Sequence, residues 1–198
     1  MAIVVEHDKR KADILEKSLE LFCKEGFEDV TFQKIADACG ITRTTLYLYF
    51  KNKREIFVWS IKQLTSGVEK ELLEILKDKN LSSAESLKKM MSCVVSLCAE
   101  NRQFFRVLLF YLTNLQKSGV DPEERINRRI IRAKHLLSMI IIRGQKSGEF
   151  KSYPVKQINE MFINLLYSVI FEIAVLNKKD VSDVMESVEL AVLGILAV

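Results

Sequence analysis

The stretch ITRTTLYLYFKNKREIF, residues 41–57, holds the side chains best suited to chemistry in this chain. Arg43 carries a planar fork of donors that matches O6 and N7 of guanine in a major groove. Thr42, Thr45, Tyr47 and Tyr49 carry hydroxyls that donate to phosphate oxygens. Residues 1–60 hold ten Lys/Arg and ten Asp/Glu, yet Arg43, Lys51, Lys53 and Arg54 fall between Asp37 and Glu55 with no acid among them. A cationic patch inside a neutral segment, interleaved with hydroxyls, has the composition of a nucleic-acid contact and not of a solvating tail. The bland alternative is that the tyrosines pack half-buried between helices, and for Tyr49 this stays open.

Other chemistries find little footing. The four cysteines, Cys23, Cys39, Cys93 and Cys98, form no CxxC, and neither His7 nor His135 stands at metal-ligand spacing from them. They are expected as reduced thiols on apolar helix faces. There is no GxSxG, no phosphate-cradling glycine loop and no HExxH, so no catalytic role, no metal and no cofactor is expected. With 198 residues, 48% of them hydrophobic, the chain can build a real core. Its apolar runs are short: LLSMIII stops at Arg143 and LLYSVIF at Glu172, below the roughly 18 residues of a membrane span. The opening MAIVVEHDKRK reverses the order of a signal peptide, so a cytoplasmic protein without membrane partners is expected.

The elements that must position the patch follow from periodicity. Two prolines, seven glycines and a 3.6-residue apolar repeat predict an all-α chain. A first helix over about 8–24 aligns Leu15, Leu19 and Phe22 and ends before Gly26. Thr31 caps a short helix with Phe32, Ile35, Ala36 and Cys39 on one side, Gly40 breaks it, and Thr42 caps a third helix anchored by Leu46 and Phe50. Helix, turn through CGIT, helix is the helix-turn-helix pattern, against the plainer reading of a helical hairpin. With Leu46 and Phe50 inward, Arg43, Thr44 and Tyr47 face outward. Lys51, Lys53 and Arg54 open the next helix, whose amides and dipole also suit phosphate.

ILEKSLELFCKEGFEDVTFQKIADACGITRTTLYLYFKNKREIF resembles the DNA-binding domain of TetR-type transcriptional repressors over roughly residues 14–57. The resemblance implies that Thr31, Thr42, Arg43, Thr44, Thr45, Tyr47, Tyr49 and Lys53 meet DNA. Thr44 stands where the family often has Gly, and Leu48 where many members have His. The implied organisation is a three-helix DNA-binding domain over residues 1–52 and a helical ligand-binding and dimerisation domain over 53–198.

Further helices are expected over about 53–77, from Ser82 or Ser83 to 99, from Asn101, from Pro122 to about 146, from Pro154 to 176, and from Asp180 or Ser182 to the end. GQKSGEF at the close of the long helix looks like the fatty-acid-responsive subgroup. The last two helices are apolar on more than one face, so a homodimer is expected through Leu165, Val169, Ile173, Leu190 and Leu193. Met91, Phe105, Leu109 and Tyr111 are expected to line an apolar effector pocket. Arg125, Arg128, Arg129 and Arg132 form one stripe, either a solvated face or the rim that meets an anionic headgroup of an acyl-CoA-like effector, with Arg128 and Arg132 foremost. The leading function is a ligand-responsive repressor acting on a palindromic operator. The alternative is a helical interaction protein whose basic surface binds a protein or a membrane.

Overall fold

The computed structural model describes the backbone of residues 2–117, 119 and 121–197, and the side chains of residues 6–117, 119, 121 and 131–197. Among the described residues nine helices follow in order: α1 (Ala2–Glu25), α2 (Phe32–Cys39), α3 (Arg43–Tyr47), α4 (Lys53–Lys77), α5 (Ser83–Glu100), α6 (Arg102–Lys117), α7 (Pro122–Lys146), α8 (Val155–Ala174) and α9 (Ser182–Ile195). Among the described residues, β structure is limited to one bridge between Phe150 and Leu196, and no helix is long and apolar enough to cross a membrane. The all-α expectation holds. Two compact units form, Met1–Gly67 and Val68–Val198, and α4 runs from the first into the second. The expected boundary at 52/53 falls at the start of α4, fifteen residues before the division between the two units.

In the first unit, α1 begins six residues earlier than periodicity indicated, at Ala2 in place of Asp8. No Gly or Pro interrupts that segment, and its His7 ring stacks on Tyr49 at 4.7 Å, a contact that no local pattern announces. Ile14, Leu15 and Phe22 bury the inner face of α1. Phe22, Phe27 and Phe57 meet at centroid separations of 5.1–5.7 Å, within the range where aromatic pairs attract. The Ser60 hydroxyl donates to the Leu15 carbonyl at 3.0 Å and joins α4 to α1.

In the second unit, α5 to α9 enclose a core of Met90, Met91, Phe104, Leu137, Ile140 and Phe162. Ser82, and not Ser83, caps α5: its hydroxyl accepts the Glu85 amide at 3.1 Å, and Glu85 returns by accepting the Ser82 amide at 2.8 Å. The last helix starts without a side-chain cap at Val181, though Asp180 accepts the Ser182 amide at 2.9 Å.

GQKSGEF, residues 144–150, closes α7. A Cβ at Gly144 would lie 2.2 Å from the Phe150 ring, so only glycine admits that buried phenyl group. Gly148 takes a φ of +76°, a left-handed turn that ends the long helix. Glu149 then accepts the amides of Ser83 and Ala84 at 2.7 and 2.8 Å, a second cap on α5. Burial pushes its carboxyl up, but those amides and the Ser82 and Ser83 hydroxyls outweigh it and hold the group below its usual range. Arg143 reaches from α7 to the Leu76 carbonyl at 3.3 Å and to the Ser86 hydroxyl at 2.6 Å.

Candidate nucleic-acid interface

Two caps and a left-handed glycine set the reading surface. Thr31 accepts the Lys34 amide at 3.1 Å and starts α2. Gly40, at φ +65°, ends it, and the amides of Gly40 and Ile41 return to the carbonyls of Asp37 and Ala36, each at 3.0 Å. Thr42 then caps α3 by accepting the Thr45 amide at 3.1 Å, and the two threonine hydroxyls lie 2.8 Å apart. The helix between is only five residues long. Leu46 and, just beyond, Phe50 are buried and fix its roll. That roll leaves Arg43, Thr44 and Tyr47 exposed, as the sequence indicated, with Thr45 half-buried.

Arg43 and Tyr47, one turn apart, hold each other: Nη2 of Arg43 donates to the Tyr47 hydroxyl at 3.1 Å. The Tyr47 ring also packs against Phe32 of α2 at 4.6 Å while remaining half exposed. The arginine therefore presents its remaining donors from a braced position. Tyr49 is half-buried against His7, so the packing reading applies to its ring. Leu48, which ends α3, is 76% exposed, the highest value of any large apolar side chain among those described.

Lys53 departs from expectation. Its ammonium donates to the carbonyls of Phe27 and Glu28 at 2.9 Å and of Val30 at 3.0 Å, and lies 4.7 Å from the Phe27 ring. An ammonium has three protons, and three carbonyls take them. Lys53 thus ties the α1–α2 connection to the start of α4, and in this arrangement its protons are turned to the chain's own carbonyls and not outward to a phosphate. The start of α4 is likewise less open to anions than its dipole implies. The Glu55 carboxylate accepts the Lys51 amide at 2.6 Å, while Asn52 accepts the Glu55 amide at 2.9 Å. Lys51 itself stays exposed.

The remaining expectations divide. Leu190 and Leu193 of α9 are exposed, at 69% and 56%. Val169 and Ile173 of α8 are fully buried in their own unit, and Leu165 is half-buried, so this stripe does not offer itself to a partner. The outward stripe is Met161, Tyr167 and Phe171 of α8, with Val175 just past its end. α8 is apolar nearly all round, so periodicity alone could not say which side the unit's own core would claim.

Of the expected effector contacts, Met91, Phe105 and Tyr111 are buried in the core and Leu109 is half-buried. Arg132 is exposed and pairs with Glu69 at 2.7 Å, while the side chains of Arg125, Arg128 and Arg129 lie outside the described residues. A groove of about 580 Å³ opens elsewhere, between α4 and α5, lined by Val68, Glu71, Ile75, Cys93, Leu97 and neighbours. Burial pushes the Cys93 and Cys98 thiols up to about 12, with Glu71 adding to the effect at Cys93. Both are protonated and unreactive at neutral pH.

Taken together, the left-handed turn, the capped α3 and its outward Arg43–Tyr47 pair define a helix-turn-helix DNA-binding protein. Residues 14–58 match the family model of bacterial regulatory proteins, tetR family, so the helix-turn-helix segment is what the family model recognises. It is 28% identical to the fatty acid metabolism regulator protein of Bacillus subtilis (strain 168) over 138 residues, covering 70% of this chain and 69% of the relative. It is 27% identical to the probable acrEF/envCD operon repressor of Escherichia coli (strain K12) over 128 residues, 58% of each. Among solved structures, it superposes on the transcriptional regulator FadR from Bacillus subtilis in complex with stearoyl-CoA. That match has a TM-score of 0.76 and 26% identity and covers 93% of this chain and 98% of the other. These likenesses are all to DNA-binding transcriptional regulators.

Proposed function

We propose that the chain is a homodimeric repressor that grips a palindromic operator through two copies of α3 and is released by a long-chain acyl-CoA or a chemically similar effector. The observation that carries the DNA half is the rigid outward pair of Arg43 and Tyr47, set by the Thr42 cap and the buried Leu46. Arg43 reads a base edge. Thr31, Thr42, Thr44, Thr45 and the hydroxyls of Tyr47 and Tyr49 position the backbone. Lys51 contributes charge. Such a regulator works in the cytoplasm, where its operator lies, and is not an enzyme.

Dimerisation is supported by the exposed apolar surface of α8 and α9. Tyr167, Phe171 and Val175 with Leu190 and Leu193 present bulky apolar groups that a second copy would cover. The effector reading rests on the apolar interior of the second unit and on the relative solved with stearoyl-CoA. Met91, Phe105, Leu109 and Tyr111 would part to admit an acyl chain. A ligand that binds the parted form better shifts the population away from the DNA-competent one. Arg128 and Arg132 would meet its anionic head. The test is titration of acyl-CoAs of increasing chain length into the protein–operator complex. Release that strengthens with chain length, and weakens in the Arg128→Ala, Arg132→Ala double variant, is the expected result. No release at any length, with no change in melting temperature, would remove acyl-CoA as effector.

A further inference from the structure

Leu48 has no role in the reading above, and its surroundings point to one. At 76% exposure it leaves most of an isobutyl group in water. It follows Tyr47 directly and stands one turn after Thr44, so Thr44 and Leu48 make a second outward ridge beside that of Arg43 and Tyr47. The Leu46 anchor, fully buried, holds both ridges outward together. A leucine brings no donor or acceptor, so it adds nothing to phosphate binding. The one apolar group that base pairs display in the major groove is the 5-methyl of thymine.

We infer that Leu48 is a specificity-determining residue that packs against a thymine 5-methyl group in each half-site of the operator. This rests on the proposal that α3 enters the major groove. Arg43 would select a purine edge by hydrogen bonds, while Leu48 selects thymine over cytosine by removing two apolar surfaces from water. Its place at the far end of α3 puts the thymine on the opposite side of the half-site from the base pair read by Arg43.

The test uses the full chain and an operator selected by it from random DNA. Each thymine of one half-site is replaced in turn by deoxyuridine, which deletes the methyl and leaves the pairing edge unchanged. Affinities are measured for the wild type and for Leu48→Ala. Because Leu48 is exposed, the variant should melt as the wild type does, which a thermal scan checks. At one thymine, deoxyuridine should weaken wild-type binding about fourfold, the value of roughly one buried methylene. Leu48→Ala should bind thymine and deoxyuridine operators equally. The inference is overturned if no thymine shows the penalty, or if the penalty persists in Leu48→Ala. A uniform loss in Leu48→Ala with no dependence on the methyl would assign the leucine to the deoxyribose backbone and also overturn it. If the chain selects no sequence at all, the DNA reading falls and takes this inference with it.

Discussion

The guanidinium of Arg43 and the hydroxyl of Tyr47, 3.1 Å apart on successive turns of α3, form one unit. Tyr47 is held in turn by Phe32. A side chain with this much bracing loses less rotamer freedom when it meets a base, and more of the contact energy appears as affinity. Arg43→Ala should cost about 1–3 kcal/mol on the preferred operator and relax the choice at one base pair. Tyr47→Phe keeps the ring and removes the acceptor, so it should weaken binding by a smaller amount without changing the preferred sequence. Competition titrations against operators altered at single positions separate the two effects. Equal losses on operator and random DNA in Arg43→Ala would assign the arginine to phosphate.

Lys53 should matter for folding and not for DNA charge. Its three carbonyl contacts stabilise the joint between the α1–α2 connection and α4, and Lys53→Met should destabilise the first unit by about 1–3 kcal/mol. The salt dependence of operator binding should stay as in the wild type, because no phosphate contact is lost. A melting point unchanged, together with a salt slope reduced by about one, would return Lys53 to the interface.

The buried and exposed faces of α8 give a paired prediction. Phe171→Asp places a charge on the outward stripe, where the residue is 52% exposed, and should yield a folded monomer with weakened operator binding. Val169→Asp places the same charge at a site with no exposure and should unfold the second unit, at a cost of about 4 kcal/mol or more. Sedimentation and circular dichroism distinguish the cases. A folded Phe171→Asp dimer would move the interface off α8.

Glu149 should show its role through pH. Its carboxyl is held below the usual range by the amides of Ala84 and Ser83 despite burial. Such a group stabilises the fold fully above its unfolded pKa of about 4.3 and loses that contribution as pH falls through the lower folded value. Glu149→Gln should therefore cost about 1–3 kcal/mol at neutral pH, and the gap to wild type should narrow as pH falls below the unfolded value of about 4.3. A gap that is constant with pH would show that the ionised cap is not the cause.

Much of the first unit was legible because its signals are local. Thr31, Gly40 and Thr42 act within four residues of themselves, so caps and turn could be placed from sequence, and with them the outward Arg43 and Tyr47. The carbonyl partners of Lys53 are not legible in this way, because Phe27 to Val30 lie more than twenty residues away. The same holds for His7 against Tyr49 and for Glu149, which caps a helix 65 residues earlier. In α8 the limit was different. Apolar residues on every side predict burial but not which partner supplies it, so Val169 was given to a second copy when its own unit takes it. Met91, Phe105 and Tyr111 share that ambiguity, since a packed core and a ligand pocket call on the same residue types.

The central claim is sequence-specific recognition by two symmetric copies of α3, and selection of bound sequences from random DNA by the full-length protein tests it most directly. The expected result is an inverted repeat whose half-sites lie a whole number of helical turns, about 34–36 Å each, apart. It should be bound about 10³-fold or more tightly than unselected DNA. Arg43→Ala should lose preference at one position in each half-site. Recovery of no common sequence, or of a motif that Arg43→Ala selects unchanged, would contradict the account.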